Sequence, residues 1–249
     1  MAEVSTMAIN KRRTGKLIGW IFLFCLLVLL FWPPDIIRVT FSPSLWGFQS
    51  KQIGKVTVYY KHKKDIRFLL DISQSIKNSE KAHHLNIQKP IKIFIFNSHK
   101  QFQKFSKLNK PTMGTGLIGR RIWVAPKARD LSSTAFKAYI SHELSHVLLY
   151  QNMSIFRGLL YPSWLIEGVA TYYGQLGLGG YPNQKEVMEL IGQGYFVDPN
   201  SYRAYFWRKK ESRLTWPKEA PHKFAYAQFA TVIQAMINLK GEDSFQDFL

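Results

Sequence analysis

Residues 131–149 read Leu131-Ser132-Ser133-Thr134-Ala135-Phe136-Lys137-Ala138-Tyr139-Ile140-Ser141-His142-Glu143-Leu144-Ser145-His146-Val147-Leu148-Leu149, without a glycine or a proline. The run predicts a helix. Ser132 or Ser133 offers an N-cap oxygen. Leu131, Ala135, Ala138, Ile140, Leu144, Val147 and Leu148 supply enough apolar positions to bury most of it. Two histidines four residues apart share one helix face, so His142 and His146 can close on a single cation without straining the backbone. Glu143, one residue past the first histidine, is placed to reach a water beside such a cation rather than the cation itself.

A hydrolytic zinc site takes three protein ligands and keeps a fourth position open. A third histidine six residues after the second is closed off, because position 152 is Asn152 and Leu149 stands where a turn glycine would be needed. The alternative is a glutamate from a following helix. Trp164-Leu165-Ile166-Glu167-Gly168-Val169-Ala170-Thr171-Tyr172-Tyr173 provides one, with Pro162 and Ser163 as its start. Glu167 is an acid inside an apolar run, where an unpaired carboxylate is costly and coordination removes the cost. Gly168 and Ala170 are small enough to let this helix approach the first closely.

HELSH followed by WLIEGVATYY, which begins eighteen residues after the second histidine, resembles the gluzincin metallopeptidases, the HExxH enzymes with a glutamate third ligand. It is most similar to the small, membrane-associated members grouped as peptidase MA-like proteins. The strong likeness covers 131–173. A weaker one covers Phe224-Ala225-Tyr226-Ala227-Gln228-Phe229-Ala230-Thr231-Val232-Ile233, similar to the tyrosine-bearing helix after the site in that group. The resemblance implies a thermolysin-like, minigluzincin-type fold. It also implies a zinc ion on His142, His146 and Glu167, with Glu143 as general base. One departure stands out: where many gluzincins carry an acid that supports a zinc-bound histidine, this chain has Thr171.

The N-terminal part predicts where such a domain would sit. Residues 17–32 are uncharged and strongly apolar, Lys16 can snorkel, and Trp20 and Trp32 suit an interface. Lys11, Arg12, Arg13 and Lys16 precede the run, which predicts a cytoplasmic N-terminus. No small-x-small cleavage site follows closely, so an uncleaved anchor is expected rather than a signal peptide. The expected organisation is a basic cytoplasmic segment (1–16), a transmembrane signal anchor (17–34) and an extracytoplasmic metallopeptidase-like domain (35–249). The protein would then be a single-pass protein of the cell membrane.

The segment 35–249 has no cysteine, which excludes disulfides within it. It keeps 30 of the 34 Lys and Arg and 15 of the 16 acids, a balance of +15. These charges are scattered, with Lys61-His62-Lys63-Lys64 the one local cluster, so nucleic acid is not an expected partner. The excess suits anionic lipid headgroups, an anionic cell-wall polymer or a generic basic surface.

Ahead of the site the chain alternates strand-like and helix-like segments. Val56–Tyr60, Ile91–Phe96 and Arg121–Ala125 read as strands. Asp65 to Ala82 reads as a helix with Ile66, Leu69, Leu70, Ile72 and Ile76 near helical spacing, and His99 to Lys107 as a short one. The expected class is α+β, a small mixed sheet followed by a helical zinc-site half and preceded by one transmembrane helix. Gly114, Gly116 and Gly119 satisfy GxGxxG, but a strand follows them where a dinucleotide site needs a helix. The better reading is a loop and hairpin whose last strand lies along the cleft as an edge, with Ile122, Trp123 and Val124 holding an extended peptide by main-chain hydrogen bonds.

The function expected is peptide-bond hydrolysis on a peptide or protein substrate. Zn²⁺ would sit on His142, His146 and Glu167, and Glu143 would move the proton. An oxyanion donor is needed besides the metal: Tyr226 by resemblance, or His222. His62, His83, His84 and His99 lie in polar sequence and are expected to carry no chemistry. Two other classes fit the same residues, a catalytically inactive metal-binding pseudoprotease and a basic extracytoplasmic binding module at the membrane.

Overall fold

Strands β1 (Gln49–Ile53) and β2 (Val56–Tyr60) open the sheet as an antiparallel pair, joined by a two-residue turn in which Gly54 takes φ +55°. The computed structural model describes residues 19–24, 26, 47–106, 113–115, 120–154, 157, 160–199 and 221–249. After β2 a 3-10 turn, Lys63–Ile66, leads into helix α1 (Arg67–His83). Strand β3 (Ile91–Ile95), helix α2 (His99–Ser106), strand β4 (Met113–Thr115) and strand β5 (Arg121–Val124) follow. The five strands form one mixed sheet in the order β1-β2-β3-β5-β4, with β2, β3 and β5 parallel and the two outer strands antiparallel to their neighbours.

Alternation along the strands assigns each face its cover. Val56, Val58, Ile91, Ile93, Ile95, Ile122 and Val124 pack against Phe68, Ile72 and Ile76 of α1 and against Phe136, Ile140 and Leu144 of the next long helix. Phe94, Phe96 and Trp123 point the other way and pack with Phe102 of α2, while Tyr59 stacks on Phe94 at 4.8 Å. On α1 it is thus Phe68, Ile72 and Ile76 that meet the core. Ile66 and Leu70, grouped with the apolar face in the sequence reading, are exposed.

The second half is helical. A 3-10 turn, Pro126–Asp130, delivers the chain to α3 (Ser133–Asn152), whose N-cap is Ser132: its side chain accepts the Ala135 N–H. Helix α4 (Ser163–Gly174) begins after Pro162, followed by α5 (Gln184–Gly192), α6 (Pro221–Lys240) and α7 (Glu242–Phe248). α4 packs against both α3 and α6, and α5 and α7 lie on α6. α3 is buried on nearly every side: Ile140, Leu144, Val147 and Leu148 have almost no exposed surface. Burial is worth about 1.5–3 kcal/mol for each such side chain, which lets the same helix carry His142, Glu143, Ser145 and His146 into the interior.

Two expectations are corrected here. Among the described residues no helix is long and apolar enough to cross a membrane. The transmembrane helix expected over 17–34 therefore does not stand, nor does the single-pass placement with an extracytoplasmic domain that rested on it. Residues 19–24 and 26 are helical, and the remainder of that segment lies outside the described residues. The second correction concerns β5. It is an inner strand, paired with β3 on one side and β4 on the other, and Ile122, Trp123 and Val124 are fully buried. Their main chain is already engaged, so they cannot hold a peptide. The strand at this edge of the sheet is β4.

Candidate metal centre

His142 and His146 lie one turn apart on α3, and α4 brings Glu167 against them. His142 Nε2 is 3.1 Å from His146 Nε2. Glu167 Oε2 is 3.3 Å from the first imidazole nitrogen and 3.6 Å from the second. These three residues form the one His/Cys/Asp/Glu group among the described residues that could hold a metal ion. The spacing fits. Donors about 2.0–2.2 Å from a tetrahedral ion lie about 3.3–3.6 Å from one another. Two imidazole nitrogens and a carboxylate oxygen also converge on one small volume, an arrangement that a cation would satisfy.

The close approach of α4 to α3 depends on a glycine, but not the one the sequence suggested. Gly168 faces α6, where an added Cβ would lie 3.1 Å from Phe229 and Ile233. Gly174, at the last position of α4, meets α3: a Cβ there would stand 2.6 Å from the His142 nitrogen and 2.9 Å from its Cα.

Burial by itself would raise the Glu167 pKa. The charge of His146, hydrogen bonds from both imidazoles and the charge of His142 outweigh it and hold the carboxyl well below its usual range. Thr171, four residues on, is fully buried, with its Oγ1 3.5 Å from His142 Nδ1. A histidine that offers Nε2 to a metal carries its proton on Nδ1, and this hydroxyl is placed to accept it. The threonine thus occupies the supporting position itself.

Glu143, next to His142 on α3, is buried. Tyr226 of α6 stacks on the His142 ring, with centroids 6.1 Å apart. His222, one turn earlier on the same helix, is exposed. The sequence reading missed Tyr181. The turn after α4 uses Gly177, Gly179 and Gly180 at positive φ and returns the chain so that Tyr181 is buried beside the site. Burial, then the neighbouring Tyr139, then the charges of Glu167 and Glu143 push its pKa upward, which keeps a protonated hydroxyl near both acids. The glycine cluster before it was the available signal.

His83 also overturns its expectation of polar surroundings. It is fully buried at the end of α1, its Nε2 is 2.8 Å from Ser145 Oγ, and its ring lies 4.2 Å from that of Tyr173. Ser145 donates to the Ser141 carbonyl, so His83 donates Nε2–H to the serine and is neutral. Burial, with a smaller effect of His146, lowers its pKa to about 3. The helical stripe Phe68, Ile72, Ile76, Ser79, His83 carried the information.

Compared with known protein families, with curated proteins and with solved structures, the chain matches none of them.

Proposed function

We propose that this protein is a zinc-dependent metallopeptidase of gluzincin type that hydrolyses peptide bonds of a peptide or protein substrate. The observation that carries the reading is the donor triangle of His142, His146 and Glu167 with Glu143 beside it. Bound there, a zinc ion supplies Lewis acidity, polarising a carbonyl and lowering the pKa of water.

The chain's own residues do the rest. His142 and His146 would offer Nε2 lone pairs to the metal, and the Thr171 hydroxyl would accept a hydrogen bond from His142 Nδ1–H, which fixes the tautomer. Glu167 stays ionised and contributes the negative charge of the set. Glu143 takes a proton from the attacking water and hands it to the departing amine, so the peptide C–N bond breaks without release of a free amide anion. Tyr226 beside His142 and Tyr181 near both acids each keep a hydroxyl that can donate to the developing oxyanion. An extended substrate would add at β4, the edge strand that packs against α3, rather than at the inner strand β5.

The test is turnover of a peptide library by the full chain loaded with zinc. Cleavage should vanish with a chelator and return with zinc. Glu143→Gln should lower it by about 10²–10⁴-fold while keeping the metal. Equal turnover by Glu143→Gln would remove the mechanism. A metal-loaded protein that cleaves nothing would instead be a binder built on the same site.

A further inference from the structure

The parallel strands β2, β3 and β5 end on the same side of the sheet, and their connections then part. After β2 and after β5 the chain passes to the face covered by α1 and α3. After β3 it passes to the opposite face, where Phe102 of α2 packs on Phe96 and Trp123. A crevice opens where neighbouring connections leave a sheet on opposite faces, and such crevices at the carboxyl ends of parallel strands are where ligands bind. Here it is a cavity of about 420 Å³. None of its lining residues belongs to the metal centre.

Its chemistry is basic. Lys64 and Arg67 follow β2, and Lys127 and Arg129 follow β5. Arg129 is paired with the fully buried Asp65, which also accepts the His62 N–H, and Arg67 donates to the Arg129 carbonyl. With that pair neutralised, Lys64, Arg67 and Lys127 face a single acid, Asp130, and two positive charges are in excess. A further cation, Lys223 of α6, lies within electrostatic reach of Lys127.

At the head of the crevice, two residues past β3, stands Asn97. Its Nδ2 and Oδ1 are both buried and have no hydrogen-bond partner among the described residues. An amide left in that state is costly in a folded protein, and because Asn97 also lines the crevice, a turn of its side chain toward the cavity would give the amide a ligand to donate to. We propose that this crevice is a binding site for a phosphate group, free or carried by a small molecule, held by Lys64, Arg67, Lys127 and the Asn97 amide. A phosphate dianion matches the two-charge excess, offers acceptors to both the amide and the cations, and leaves room for an attached organic group.

The test is calorimetric titration of the full chain with inorganic phosphate at constant ionic strength, with acetate as comparison. Saturable binding of phosphate but not acetate is expected, weakened about tenfold or more in Lys127→Ala and in Asn97→Ala. Lys127 is exposed, so its variant keeps the test decisive should Asn97→Ala fold poorly. Glycerol phosphate binding tighter than inorganic phosphate would mark a phosphate ester as ligand, and equal binding the free ion. His146→Ala should bind phosphate as the parent does. Loss of binding in that variant, no saturable binding, or unchanged affinity in Lys127→Ala and Asn97→Ala would each overturn the proposal.

Discussion

Gly174 lies directly on the backbone of His142: a Cβ on the glycine would sit 2.6 Å from the histidine's nitrogen. The last turn of α4 is thereby locked to the turn of α3 that carries the first histidine of the candidate metal centre. Gly174→Ala must push the helices apart, since backbone atoms cannot yield as a side-chain tip can. The expected cost is about 1–3 kcal/mol in denaturant unfolding, with weaker metal binding. Gly192→Ala, where nothing lies within 4 Å, should be neutral or slightly stabilising. Equal stability of Gly174→Ala and the parent would refute the close-contact account.

Thr171→Val keeps the volume beside His142 and removes the oxygen 3.5 Å from its Nδ1. Metal affinity should fall about tenfold or more, read by competition with a chelator, while the fold survives. Undiminished affinity would mean that the hydroxyl does not orient the imidazole.

Much of this centre was legible in the sequence because its determinants are local. Helical spacing places His142 above His146, Ser132 caps α3, and Pro162 marks the start of α4. What was hidden depends on partners far along the chain. β1 reads Gln-Ser-Lys-Gln-Ile, almost wholly exposed, and is a strand only because β2 lies beside it. The three residues of β4 are too few to show a period, so the sheet order, and with it the inner position of β5, could not be read locally. The burial of Tyr181 and His83 likewise follows from how helices pack.

Acid should destabilise the metal-free protein through His83. Its folded pKa of about 3 lies below the usual value of 6.5, so between those limits the unfolded chain binds a proton that the native state refuses. Stability is then full above the usual histidine value and falls with pH, at about 1.4 kcal/mol per unit. Glu167, held below 4.5, acts in the same direction but only in stronger acid, because its depressed pKa keeps its contribution until the pH falls further. Denaturant unfolding of the parent and of His83→Gln, compared between pH 7 and 5, therefore separates the share of His83 from that of the other histidines. His83→Gln should flatten the slope, and an identical slope in both proteins would contradict the assignment.

Tyr226→Phe removes a hydroxyl from the residue stacked on His142. If that hydroxyl steadies the oxyanion, kcat should drop about 10²–10³-fold with zinc content unchanged. An unaltered kcat would transfer the role to Tyr181, which Tyr181→Phe then examines in the same assay.

The most direct measurement is the zinc content of the purified full chain beside an identically prepared His146→Ala variant. About one zinc per chain in the parent, lost in the variant, is the expected result for three donors at this spacing. A folded parent that takes up no zinc, even when zinc is supplied, would contradict the metal centre and every catalytic step that depends on it.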